Sequence, residues 1–316
     1  MGTGRNWANG AIGRRDVLRL AGAAGALTVS QIAARRAFAV GRLTLGETEI
    51  VTVSDGSLTL PMSYSYGDAP KEELDAILTA NGMATDALRP DCNVTVLNRA
   101  GRVVVFDAGS GPNFMDTAGK LVENLAAAEI DPADVTDVVF THAHPDHIWG
   151  VTDDFDELVF ANAAYHIGQA EHDFWSSPDA LQAVSADRQS FVVGAQGRFE
   201  AIRDRLSFLK PGREVLPGIE AVATPGHTPG HLSYIVHDGA EQIVILGDAL
   251  THSVISFAHP EWPAGADQDQ ALAATTRRTL LDRLAGDRAR VIGYHFPHPA
   301  SGTVERDGSA YRFVAV

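Results

Sequence analysis

The chain has 316 residues, 45% hydrophobic and 21% charged, enough for a full packed core and unlike a disordered tail, a collagen-like fibre or a multi-pass membrane protein. Its net charge of −15 is uneven, since residues 1–39 carry six arginines (Arg5, Arg14, Arg15, Arg19, Arg35, Arg36) against Asp16, leaving −20 on a body that repels nucleic acid. A single cysteine, Cys92, excludes an internal disulfide and a cysteine-rich zinc site, so histidines and carboxylates are the candidate metal donors.

Arg14-Arg15-Asp16-Val17-Leu18-Arg19 precedes an apolar, alanine- and glycine-rich stretch from Leu20 to Ile32, and Ala37-Phe38-Ala39 offers a signal-peptidase pattern. This segment resembles a twin-arginine export signal, which implies cleavage after Ala39 and a periplasmic or secreted protein exported already folded. The apolar stretch is too short to span a bilayer comfortably, so no membrane span is expected in the mature form. No repeat or linker divides residues 40–316, which read as one domain.

Thr48 to Val53 alternates as a strand, and Ser54-Asp55-Gly56 signals a turn into a second strand, Leu58 to Leu60, making a hairpin. Lys71 to Ala80 reads as a helix closed by Asn81-Gly82. Cys92 reads as a small buried apolar residue at the start of a strand. Val94 to Leu97 and Val103 to Phe106 form a hairpin around Arg99-Ala100-Gly101, followed by Asp107-Ala108-Gly109. Leu121 to Ile130 is a helix stopped by Asp131-Pro132. Val138 to Phe140, Leu158 to Phe160 and Tyr165 to Ile167 are short strands, and Gly168 to Trp175 and most of Asp179 to Leu206 are helical. Ile219 to Ala223, Ser233 to Val236 and Gln242 to Leu246 are strands, Asp267 to Leu284 is a helix, and Arg290 to Tyr294 and Tyr311 to Val316 are strands. Two batches of strands, each followed by helix, suit two packed sheets with helices outside.

Polar residues concentrate where strands end. Thr141-His142-Ala143-His144-Pro145-Asp146-His147 follows an apolar strand; side chains at 142 and 144 share a direction in extended chain, and the turn at Pro145 carries Asp146 and His147 to an adjacent point. One loop thus offers ligands to two neighbouring ions, imidazole suiting zinc and the carboxylate also tolerating manganese, iron or cobalt. Pro225-Gly226-His227-Thr228-Pro229-Gly230-His231, Gly247-Asp248 and His295 each follow a further apolar strand.

This His-x-His-x-Asp-His loop, followed in order by a histidine, an aspartate and a last histidine, resembles the signature of the metallo-β-lactamase superfamily. The resemblance implies an α/β fold, a four-layer αββα sandwich with a dinuclear metal site at the sheet edges. It places His142, His144 and His227 on the first ion and Asp146, His147 and His295 on the second, with Asp248 bridging. Val53-Ser54-Asp55-Gly56 with Pro61, the Pro225 to His231 run, Leu246-Gly247-Asp248, and Gly308 with Tyr311-Arg312-Phe313 are most similar to the methyl parathion hydrolase and quorum-quenching lactonase branch. Two departures fall near the expected pocket: Trp149 stands where many members have the first of two glycines, and Thr251-His252 follows the bridging aspartate where apolar residues are common.

The implied chemistry is hydrolysis of an ester, lactone or phosphotriester by a hydroxide shared between two divalent ions, with zinc the first expectation and Asp146 a ligand and proton acceptor. Such a site needs no serine nucleophile, and the chain lacks a Gly-x-Ser-x-Gly elbow. The partners expected are a small-molecule substrate and, as a possible assembly, a second copy of the chain in a homodimer. Alternatives are a glyoxalase II-like thioester hydrolase, which normally adds a helical C-terminal domain where only 21 residues follow His295 here, and a redox member, which would replace His144 with glutamate. Phe114, Trp149, Trp175 and His252 are the candidate pocket residues, Phe114 and Trp175 matching pocket-wall positions of that branch. His231 reads either as an orienting residue behind the metal or as a strand cap, and Asp55 and Asp107 as supports beneath the ligand loops.

Overall fold

Alternation of apolar residues along the strands builds two sheets, each buried on both faces. The computed structural model describes Met1 and residues 40–316, so the export reading lies outside the described residues. β1 (Val40–Leu45) pairs antiparallel with β2 (Thr48–Ser57), while β3 (Leu60–Pro61) and β4 (Ala87–Leu88) form a separate two-stranded ribbon. β5 (Asp91–Arg99), β6 (Arg102–Phe106), β7 (Asp137–Val139), β8 (Ala164–Gly168) and β9 (Leu206–Leu209) complete the first seven-stranded sheet, parallel from β6 onward. The second contains β10 (Glu214–Leu216), β11 (Ile219–Ala223), β12 (Leu232–Asp238), β13 (Glu241–Ile245), β14 (Arg290–Ile292), β15 (Ser301–Asp307) and β16 (Ala310–Ala315), with β13 and β14 parallel.

Successive strand residues serve opposite layers. Ile50, Val104, Phe106 and Val139 join the core that also holds residues of β12 to β14, whereas Val51, Val105 and Val138 pack with Leu121, Leu125 and Val192 of the outer helices. Phe106 meets Tyr234 at 5.3 Å between ring centroids. On the far face of the second sheet, Ile235 and Val244 lie beside Leu280 and Leu284 of the helix Gln270–Asp287. The order of layers is helix, sheet, sheet, helix, as expected. Among the described residues no helix is long and apolar enough to cross a membrane.

Three local expectations fail. Ser54-Asp55-Gly56 is a bulge within β2, which continues to Ser57 against β5, so there is no hairpin. Gly56 takes φ +103 and passes so close to Thr117 that a Cβ would strike its carbonyl oxygen, while Asp55 turns inward and accepts the N–H groups of Ser110 and Leu121, each at 2.8 Å. Leu158 to Phe160 is a turn with one bridge to Thr152. The helical region after Asp179 ends by Arg205, and Leu206 to Leu209 adds an edge strand beside β8, a four-residue element too short for its period to show in sequence.

Candidate metal centre

The ligand segments emerge from neighbouring strand ends. Asp107, just beyond β6 at φ +66, accepts the Thr141 N–H (2.7 Å) and hydroxyl (2.8 Å), anchoring the loop that leaves β7. Its Oδ2 also takes the Nδ1 proton of His147 at 2.8 Å, turning Nε2 towards the centre. The short helix Pro145–Ile148 carries Asp146 beside it. His227 is held at Nδ1 by Asp267 (3.0 Å), His295 at Nδ1 by the Asp91 carbonyl (2.9 Å), and His142 at Nδ1 by the Thr141 hydroxyl (3.0 Å).

All seven expected ligands converge, buried. His227 Nε2 lies 2.9 Å from His144 Nδ1 and 3.3 Å from Asp248 Oδ2, and His295 Nε2 is 3.2 Å from both Asp248 Oδ2 and Asp146 Oδ2. His147 Nε2 is 3.5 Å from Asp146 Oδ2 and 3.4 Å from Asp248 Oδ1. Donors about 2.0 to 2.1 Å from one tetrahedral ion sit about 3.3 Å apart, so these separations fit shared cations. His142, His144 and His227 form one compact donor group, and His142, His147 and Asp248 another. His142 Nε2, His147 Nε2, Asp146 Oδ2 and Asp248 Oδ1 are buried without hydrogen-bond partners, a cost that a cation removes. Burial and neighbouring imidazoles hold His142 and His144 well below their usual range, in the neutral form that binds metal. Burial opposes charge on Asp248, but His295 and His147 outweigh it and keep the carboxylate ionised. The donor set fits two divalent cations, with Asp248 facing both groups.

The supports beyond the ligands are mostly hidden in the sequence. His231 accepts the Asp248 N–H at Nε2 (2.9 Å) and bonds Thr224 through Nδ1 (2.8 Å), so it positions the bridging residue; burial pushes it down to about 3. Gly247, at φ +54, leaves the space this contact needs, because a Cβ there would sit 2.7 Å from His231 Nε2. Asp267 also receives Arg277 Nη1 at 2.6 Å, and Arg277 donates to the carbonyls of Pro260 and Trp262, each at 2.9 Å.

Glu171 is fully buried and accepts from Ala143 N (3.0 Å), Trp175 Nε1 (2.6 Å), Thr228 Oγ1 (2.7 Å) and Gly230 N (3.0 Å). It thereby ties the loop of His142 and His144 to that of His227. Glu171→Gln puts an amide N–H against two of these donors and should weaken retention of one ion about 10- to 100-fold in a chelator competition. Unchanged retention of both ions would remove Glu171 from the support of the centre.

A cavity of about 440 Å³ opens over this floor, where His144, Asp146, His227, Asp248 and His295 are exposed to it. Leu58, Leu60, Phe114, Met115 and Phe191 make its walls apolar. Of the expected pocket residues, Phe114 is therefore in place. Trp175 is not: it is fully buried, edge-on behind His144, with its indole N–H spent on Glu171. Trp149 lies behind Phe114, against Gly194 and beneath Arg198, and does not line the cavity. His252 faces a separate cavity of about 280 Å³ that reaches His295 from another side. Both tryptophans follow the ligand loops in sequence, but helix direction turns them into the core.

A four-layer αββα fold carrying a histidine and aspartate set for two ions at its strand ends defines a metal-dependent hydrolase. A profile of the metallo-beta-lactamase superfamily matches residues 89–295, and the chain belongs to that superfamily. It is similar in structure to AidC, a dizinc quorum-quenching lactonase in complex with its product N-hexanoyl-L-homoserine, with 28% identity, a TM-score of 0.83 and coverage of 88% of this chain and 97% of that one. It is also similar to the hydrolase AbOPH, with 25% identity, a TM-score of 0.82 and the same coverages. In sequence it is 26% identical over 165 residues to an N-acyl homoserine lactonase of Bacillus cereus, a match spanning 52% of this chain and 57% of the lactonase.

Proposed function

We propose that the protein is a dizinc lactonase or esterase whose substrate presents an apolar acyl group, N-acyl homoserine lactones being the best-fitting class. The observation that carries this reading is the cavity itself, apolar on its walls and floored by the ligand set. The dizinc lactonase neighbour with an acyl-homoserine product supports the same substrate class and the same metal.

When bound, two zinc ions supply a nucleophilic water at neutral pH and a Lewis acid for the substrate carbonyl. Asp248 fixes the spacing of the two ligand groups, and His231 fixes Asp248. Asp146 lines the cavity floor and turns Oδ2 towards His147 and His295, which leaves Oδ1 to take the proton released by the attacking water and return it to the departing oxygen. Phe114, Met115 and Phe191 bury the acyl chain, each methylene contributing about 0.8 kcal/mol, or about fourfold in affinity.

The test is a panel of acyl homoserine lactones, p-nitrophenyl esters and aryl phosphotriesters on zinc-loaded protein. The expected result is lactone turnover whose KM falls as the acyl chain lengthens. Turnover of phosphotriesters with no lactone hydrolysis would overturn it.

Export belongs to the same proposal, a periplasmic or secreted enzyme. Replacing Arg14 and Arg15 with lysines should hold the precursor in the cytoplasm, because the signal is read through that pair. Mature protein still recovered outside the inner membrane would refute this route.

A further inference from the structure

A sulfur stands beside the second ligand group. Cys92 lies in β5 opposite Gly56 and is fully buried. Its Sγ, a carboxylate oxygen of Asp146 and a ring nitrogen of His295 all lie within 4.8 Å of one another. Asp146 Oδ2 lies 3.2 Å from His295 Nε2 and is buried with no hydrogen-bond partner, so a carboxylate beside the sulfur keeps one oxygen unsatisfied.

The backbone keeps these groups together. Asn93 N and Nδ2 both donate to the Tyr294 carbonyl at 2.9 Å, and Nδ2 also donates to the Phe296 carbonyl at 2.8 Å. One residue before Cys92, the Asp91 carbonyl accepts His295 Nδ1 at 2.9 Å. The start of β5 is therefore stitched to the segment carrying His295 on both sides of the cysteine, and sulfur and imidazole cannot drift apart independently. A cysteine kept only for its volume packs among apolar groups; this one also borders two polar residues of the metal centre.

We infer that Cys92 Sγ is a ligand of the second metal ion, joining Asp146, His147 and His295 there, which adds sulfur to that ion's oxygen and nitrogen donors. This rests on the two-ion reading of the site. On binding, the thiol proton passes to solvent as the metal–sulfur bond forms. A thiolate donor favours zinc or cobalt over manganese at the second position.

Cobalt(II) titration of the chelated full-length protein tests this by absorbance, independently of turnover. Cys92 is the only cysteine in the chain, so any thiolate-to-cobalt charge-transfer band in the near ultraviolet reports on it alone. The expected result is such a band in the parent as cobalt rises to two per chain, and its loss in Cys92→Ser with the visible ligand-field bands of histidine-bound cobalt retained. Two cobalt ions bound by the parent with no charge-transfer band would overturn the inference and leave the two-ion reading intact. Visible bands that saturate at one ion per chain would instead overturn the two-ion reading, and the inference with it. The deciding band is measured on the parent protein, so the outcome does not depend on Cys92→Ser folding.

Discussion

Asp248→Ala should lower kcat/KM by about three orders of magnitude or more, while the metal-free protein melts within a few degrees of its parent. Asp248 faces both ligand groups, with Oδ1 3.4 Å from His147 and Oδ2 3.3 Å from His227 and 3.2 Å from His295. Loss of the shared carboxylate removes the group that fixes one ion against the other. Metal-assisted stabilisation of a transition state is worth several kcal/mol, and each 1.36 kcal/mol is about tenfold in rate. The fold depends on it far less, because Asp248 follows β13 in a short turn and contributes no apolar volume to either core. Melting must be compared after chelation, since lost metal binding lowers apparent stability by mass action alone. A variant within a few fold of the parent would show that Asp248 does not join the two sites.

Arg277→Met should produce the largest loss of stability among single changes near the centre. The guanidinium and the Asp267 carboxylate are both buried and 2.6 Å apart, and Arg277 also satisfies the carbonyls of Pro260 and Trp262. Burial would raise Asp267, but His227 and Arg277 hold its carboxyl below the usual range, so it folds charged. Removing one partner of a buried pair costs about 3 to 5 kcal/mol. At about 2 to 4 °C per kcal/mol for a domain of this size, melting should fall by roughly 10 °C. Adding Asp267→Asn should recover part of this by removing the stranded charge, while leaving the His227 imidazole less firmly oriented. Melting within 2 °C of the parent for Arg277→Met would contradict the assignment.

What can be read from the sequence follows from the range of the interactions. The first candidate metal loop is a contiguous string from His142 to His147, and the other three candidates each follow an apolar strand, so local pattern and order suffice to single out all seven residues that converge. Their supports answer to contacts between distant segments. Glu171 reaches residues 28 and 59 positions away, and Asp267 meets a histidine 40 positions earlier, with no local motif to mark either. The Asp55-Gly56 turn signal is overruled because β5 and Thr117 hold the chain in a bulge, a tertiary constraint on a locally ambiguous dipeptide. Trp175 and Phe114 are equally plausible pocket walls by sequence; only the direction of the helix Gln169–Trp175 separates them, sending the indole to Glu171 and away from the cavity. Cys92 reads as packing in the sequence because one cysteine makes no zinc motif, and its neighbours Asp146 and His295 lie far along the chain.

Elemental analysis of the full-length protein, loaded with zinc and freed of excess metal, counts the ions outright. Seven buried donors, with Asp248 lying 3.4 Å from His147 and 3.3 Å from His227, predict close to two ions per chain, with activity rising until the second is bound. Full activity at one ion per chain would contradict the dinuclear centre on which the proposed chemistry rests.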